Sequence, residues 1–212
     1  MGTTVFPFTV RGREPDERYF PIESVSNPEG DGGTLYRRLR AKRFGIRNAE
    51  LIFPDTVASK SFADWDTFWE TTLSGGIDSF LYAARRPIYR IVSGEAAGTA
   101  SGGGGETFTT VRKFIHHTDF GESATTLVVK VDGVAQTLTT DYTVSGNGTA
   151  PTITTTASFD TGAVTFDYEF YFQVFGYLLR TADLVPGASL SSPGTDRVVL
   201  DMIEQASGGS LA

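Results

Sequence analysis

Two periodicities divide the chain. Over most of its length the apolar residues fall at every second position or in short β-branched runs, the pattern of strands, and one segment alone keeps helical spacing. Strands are expected at 3–10, where Pro7 marks an edge or a bulge, at 35–44, and at 50–56, where Pro54 closes the run. A turn cluster, NPEGDGG, fills 27–33. Strand character returns at 80–91 and 107–115. A hairpin follows, 126–131 and 134–138 about an Asp132-Gly133 turn. Short strands at 141–145, 152–156, 163–166 and 169–175, separated by Gly, Asn and Asp, predict a small sandwich or barrel. A Gly/Pro/Ser-rich loop at 186–194 precedes a last alternating strand at 198–203.

The helical segment is 61–73. Phe62, Trp65, Phe68, Trp69 and Leu73 share one stripe, so both tryptophans of the chain face a core. Ser61 followed by Asp64 has the form of a capping box with Asp in place of Glu, and Gly75-Gly76 supplies the stop. The expected element is a core helix of about three turns lying on a sheet. Residues 94–105 have linker composition, and no Lys-Ser/Thr follows their glycines, so a phosphate loop is not expected.

Composition narrows the chemistry. The 212 residues are enough for a buried core in one or two domains, and 16 phenylalanines supply it. The absence of cysteine rules out disulfides, thiolate metal sites and a cysteine nucleophile. The first residues lack the basic-then-apolar pattern of a secretory signal. No apolar run approaches the roughly 18 residues that span a bilayer, so a soluble protein without membrane insertion is expected. Net charge is −7. Residues 1–100 balance 13 basic against 13 acidic side chains, whereas 101–212 hold 5 against 12, so the second half carries the whole excess. Tight nonspecific DNA binding, which depends on Lys and Arg releasing counterions, is not expected there.

No catalytic, cofactor or metal site is expected. His116 and His117 are adjacent and would point to opposite faces of a strand. No G-x-S-x-G accompanies them, and no EF-type calcium loop occurs. Carboxylate pairs occur at Asp64/Asp66 and Asp167/Glu169; alternating strand positions would put Asp167 and Glu169 on one face, as glycosidase chemistry would need, but a solvated strand face is the expected reading. The densest charge cluster is Arg37, Arg38, Arg40, Lys42 and Arg43. Phosphate contact, a subunit interface with acidic groups of a neighbour, and a charge-protected edge strand are its three readings.

The order of segments resembles the distal tail protein family of phages and gene-transfer agents. The resemblance runs from the Phe-Pro strand at the start to the Arg-rich Tyr36-Arg37-Arg38-Leu39-Arg40-Ala41-Lys42-Arg43-Phe44. It continues through the helix with Phe68-Trp69, leading into Gly76-Ile77-Asp78-Ser79-Phe80, and a Gly-rich run before Thr107-Phe108. The Val-x-Val-Asp-Gly hairpin at 129–133, Asp-Tyr-Thr-Val at 141–144, Asp-Thr-Gly-x-Val-Thr-Phe at 160–166 and the strand over 172–184 complete it. The resemblance implies a mainly β protein: a β-sandwich belt domain with one α-helix, plus an inserted small β-sandwich or barrel domain. The belt would comprise 1–93 and 171–212, with a linker at 94–105 and the insertion at 106–170. It further implies a structural virion protein and no enzyme. The chain would assemble in the host cytoplasm and form a homo-oligomeric ring, usually a hexamer, at the tail tip. That ring joins the tail tube protein to the hub or baseplate protein, and DNA passes transiently through its channel. Two other readings stand beside this one: a carbohydrate-binding module contacting the host surface, and a cell-wall hydrolase using acidic residues.

Overall fold

The computed structural model describes residues 4–11, 16–26, 36–146, 148–149, 151–182 and 196–205. The protein is mainly β, with three antiparallel sheets and one principal helix, a β-sandwich-type fold. Its strands are β1 (Asp16–Ser26), β2 (Tyr36–Phe53), β3 (Phe80–Tyr82), β4 (Ile91–Ala100), β5 (Thr107–Thr109), β6 (Val128–Val131), β7 (Val134–Ala135), β8 (Tyr142–Ser145), β9 (Thr152–Thr155), β10 (Gly162–Glu169), β11 (Phe172–Ala182) and β12 (Asp196–Glu204). The helix is α1 (Phe62–Thr67), which passes directly into a π-helical turn at Phe68–Thr72; a single turn, α2, spans Pro87–Arg90. By contact the chain divides into two compact units, one of 1–2, 7–80 and 174–212, the other of 3–6 and 81–173.

The first unit holds β1, β2, β12 and most of β11, which lie side by side in the order β1-β2-β12-β11. The two strands expected at 35–44 and 50–56 are one strand, β2. Gly45 and Asn48 are turn formers locally, but pairing with β1 on one side and β12 on the other keeps the backbone extended. The concession to local preference is a bulge, where Asn48 takes φ 52° and its N–H donates to the Asp201 carboxylate at 2.7 Å. β1 was not expected, because its alternation is broken by Pro21 and by charged residues. The turn cluster 27–33 and the loop 186–194 lie outside the described residues. The stretch 3–10 forms no regular strand within its described part, only the bridges Val5 to Leu81 and, next to it, Arg11 to Glu50, although Phe6, Phe8 and Val10 are buried alternately as the pattern expects.

The helix begins as expected. The Ser61 hydroxyl accepts from the Asp64 N–H, and the Asp64 carboxylate accepts from the Ser61 N–H at 2.7 Å, a complete capping box. Trp65, Phe68, Trp69 and Leu73 are buried, while Phe62 is half-buried against the Phe53 ring. The π turn, closed by Leu73 N–H to Phe68 C=O at 2.9 Å, ends the helix with Phe68, Trp69 and Leu73 all inside. Phe8 is the hub of this core, edge-on to Phe53, Trp65 and Phe68 at 5.4–5.8 Å.

The second unit has a four-stranded sheet, β4-β10-β6-β7, and a three-stranded sheet, β5-β9-β8. Asp132 and Gly133 both take positive φ, as a type I′ hairpin needs. The expected strand 80–91 breaks into β3 and α2, because Pro87 at the start of a turn favours helix. Strand 107–115 shrinks to β5.

The largest correction concerns 94–105, which is no linker. Through Ala100 it belongs to β4 and pairs with β10. The glycines beyond it are packed. The Gly105 N–H donates to the Thr155 C=O at 2.8 Å, and the buried Thr155 hydroxyl donates to Gly103 C=O at 3.1 Å. Ser101 N–H reaches the Glu106 carboxylate at 3.1 Å. A Cβ at Gly104 would lie 3.0 Å from the Ala157 nitrogen. Composition reads these glycines as slack, whereas here they permit close approach of two backbones. The belt's expected first part, 1–93, correspondingly stops at 80 in the contact division, and β4 sits with the residues that follow it.

Candidate functional site

The Arg-rich stretch occupies the first half of β2. Its register with β1 pairs Arg37 with Val25, Arg38 with Ser24, Lys42 with Pro21 and Arg43 with Phe20. Leu39 faces Glu23 and Ala41 faces Ile22, so Arg40 is the extra residue of a β-bulge. This bulge interrupts the strict alternation expected to place Arg38, Arg40 and Lys42 on one face. The side chains of Arg37, Arg38, Arg40 and Lys42 lie outside the described residues; Arg43 is half-buried. β12 pairs with β2 from Phe53 back to Gly45. Among the described residues, 36–44 therefore has β1 as its only strand neighbour, and the two strands run on as a ribbon beyond the end of β12. Where they part from β12, the Glu204 carboxylate accepts the Phe44 N–H at 2.9 Å.

Three of the four paired carboxylates, Asp64, Asp167 and Glu169, are engaged structurally. Asp64 caps α1. Asp167 accepts from Lys130, from Gly94 N–H at 2.7 Å and from the Ser93 hydroxyl at 3.3 Å. The Lys130 hydrogen bond, aided by Gly94, holds its carboxyl below the usual range, the reverse of what a general acid needs. Glu169 accepts from the Arg90 Nε at 2.9 Å. The described residues contain no group of three His, Asp or Glu side chains able to hold a metal ion. Large exposed apolar side chains among them are aliphatic, such as Val57, Ile77, Ile88 and Val111.

A dense polar cluster is centred on His116, which the sequence leaves as half of a strand pair. It is not in a strand. His116 is buried, its ring stacked on Tyr171 with centroids 4.1 Å apart. Its Nδ1 lies 3.4 Å from the Glu169 carboxylate and 3.6 Å from that of Glu122. The Tyr171 hydroxyl donates to Glu122, and Arg90 braces Glu169 while also donating to Ala84 C=O at 3.0 Å. Burial, together with the Glu122 bond, pushes the Tyr171 phenol well up, so it remains a donor. His117 turns elsewhere: its Nδ1 accepts the Asp119 N–H at 3.2 Å and caps a 3₁₀ turn. Arg90 and Tyr171 stand 26 and 55 residues from His116 and Glu122 stands 6 away, and no sequence spacing announces them.

A second polar contact lies beside it on β10. The Tyr168 hydroxyl donates to Glu95 at 2.7 Å and accepts the Arg112 N–H at 3.2 Å, while the Arg112 guanidinium sits 4.8 Å over the Phe170 ring. These contacts tie the irregular 110–115 stretch to the sheet. No helix among the described residues is long and apolar enough to cross a membrane. Compared with family models and with curated proteins, the chain matches none.

Proposed function

We propose that this chain is a structural subunit of a symmetric ring at the distal end of a phage-type tail. It joins the tail tube to the hub or baseplate protein and leaves a channel for DNA. One observation carries the reading: among the described residues, the Arg-rich half of β2 runs beyond β12 as a two-stranded ribbon with β1. A two-stranded ribbon is marginal in isolation, and an unpaired strand edge is a template for another chain. A neighbouring subunit supplies both needs. The contact is heterologous, Arg-rich ribbon against a different, acidic surface, and such contacts close into rings when the rotation allows. Acidic surface is plentiful, because 101–212 carries the whole charge of −7. The ring order, the neighbours and the tail-tip location rest on the family resemblance.

Native mass spectrometry of the purified protein tests this. A closed oligomer at an integer multiple of the monomer mass is expected. Arg38→Glu with Arg40→Glu should dissociate it while circular dichroism stays unchanged. A ring that persists with both charges reversed removes the ribbon from the interface. If the isolated chain is monomeric, the test passes to the assembled particle, where absence of the chain from the tail tip overturns the proposal.

A further inference from the structure

The chain has two histidines, and both stand at the entrance of one loop. Residues 117–125 make an excursion whose ends meet. The His116 N–H donates to Glu169 C=O at 2.9 Å, and the His116 C=O accepts the Thr126 N–H at 3.2 Å. The Thr126 hydroxyl in turn accepts the Glu169 N–H at 2.9 Å. The excursion is thus an Ω-type loop with a closed neck. Most of its side chains are exposed or half-exposed, and two of them hold it to Tyr171: Glu122 accepts the Tyr171 hydroxyl, and the Phe120 ring stands edge-on to the Tyr171 ring with centroids 5.6 Å apart. Tyr171 is the ring on which His116 stacks. Neck and tie therefore share a single imidazole between them.

We propose that loop 117–125 is an acid-released flap and that His116 is its latch. In the closed form the imidazole is neutral. Its Nδ1 faces the Glu169 and Glu122 carboxylates, and its Nε2 is buried with no hydrogen-bond partner among the described residues. A neutral Nε2 leaves only a lone pair unsatisfied there. A protonated ring adds a buried N–H donor carrying part of a positive charge, a far costlier group to leave unpaired. The groups facing the ring pull in different directions. Burial disfavours the charged ring, Glu122 from the loop and Glu169 from β10 favour it, and Arg90 from α2 opposes it; burial wins, and His116 is held below the ordinary imidazole value of 6.5. Tyr171 stays neutral throughout.

The sign follows by linkage. The closed neck binds fewer protons than the open one once pH falls below about 6.5, so closure is fully present above that value and weakens as pH drops. If the closed form takes up no proton, the open-to-closed ratio rises about tenfold between pH 7.5 and 5.5. The flap needs no partner, and its release uncovers the Tyr171 face and the Glu122 and Glu169 carboxylates as a new surface.

Hydrogen exchange on the full chain reads this directly. After correction for intrinsic rates and with β10 amides as the internal reference, amides 117–126 should exchange several-fold up to about tenfold faster at pH 5.5 than at pH 7.5. His116→Gln should remove the difference between the two pH values, and His117→Gln should keep it. No acid response in the wild-type protein, or a response retained in His116→Gln, overturns the latch. Should His116→Gln fail to fold, NMR titration of the wild-type ring decides. A His116 midpoint below 6.5 accompanied by shifts in loop amides supports the latch, and a midpoint at or above 6.5 overturns it.

Discussion

Gly76 is a position at which the core of the first unit has no room for a single added methyl group. Its φ is +90°, and a Cβ there would stand 2.7 Å from Trp69 Cη2, 2.9 Å from Cζ2 and 3.1 Å from the Gly176 carbonyl oxygen. Carbon pairs are comfortable at about 3.5–4.0 Å, so Trp69 would have to retreat by about 1 Å. Its retreat is opposed by the Trp65 ring, which stacks on it with centroids 5.5 Å apart. Two costs therefore add in Gly76→Ala. The left-handed backbone costs about 1 kcal/mol, and overpacking costs a further 1–3 kcal/mol or so. Gly75→Ala isolates the first cost, because Gly75 also has positive φ (+68°) but open space around its Cβ position. The expectation is a loss of about 1 kcal/mol for Gly75→Ala and about 2–4 kcal/mol for Gly76→Ala. Urea unfolding followed by tryptophan fluorescence measures both, and since Trp65 and Trp69 are the only tryptophans, the signal reports this core alone. Two variants of equal stability would refute the close packing of Trp69 on Gly76.

Asp55 is a buried carboxylate that accepts from the N–H groups of Thr9 (2.7 Å), Val57 (3.0 Å) and Ala58 (3.1 Å), with Arg11 3.7 Å away. Asp55→Asn should cost about 2–3 kcal/mol at pH 7 in the same fluorescence assay. Burial alone would raise this carboxyl, but the three N–H bonds outweigh it and hold it below 3.8, so its stabilisation is present above about pH 4 and is lost as pH falls through the lowered value; the Asn variant should lack that acid limb. Deleting Gly103 and Gly104 should lower the calorimetric melting temperature by about 5–10 °C, from two or three lost backbone contacts at about 1 kcal/mol each. An unchanged melting temperature would return this run to the status of a linker. Raised salt should weaken any ring held by the Arg-rich ribbon, visible as a falling oligomer fraction by light scattering.

Local pattern carried the signals that one element generates by itself. The helix at 61–73 was legible because its stripe, capping residues and glycine stop are all encoded within it, and the Asp132-Gly133 hairpin because its turn chemistry is specific to two residues. The mainly β class followed from period-two alternation along the whole chain. Residues 94–105 misled because composition measures backbone freedom, and glycine is equally suited to slack chain and to tight backbone contact. Only the position of Thr155, some 50 residues away, separates the two. β2 was read as two strands for a related reason: the bulge at Asn48 looks like a turn until β12 is laid beside it, with Asp201 to hold the Asn48 N–H.

The polar sites divide in the same way. The sequence by itself determined that an Arg-rich strand exists, that no thiol chemistry is possible and that two histidines are adjacent. Tertiary structure alone decided that β2 outruns β12 and leaves those arginines on a ribbon. It also decided that His116 is buried between Glu122 and Glu169 while His117 caps a turn beside it. Burial and electrostatic environment are properties of groups brought together from distant positions. Periodicity along one strand or helix fixes which way a residue points, but the dielectric and the partners it meets are set by segments tens of residues away.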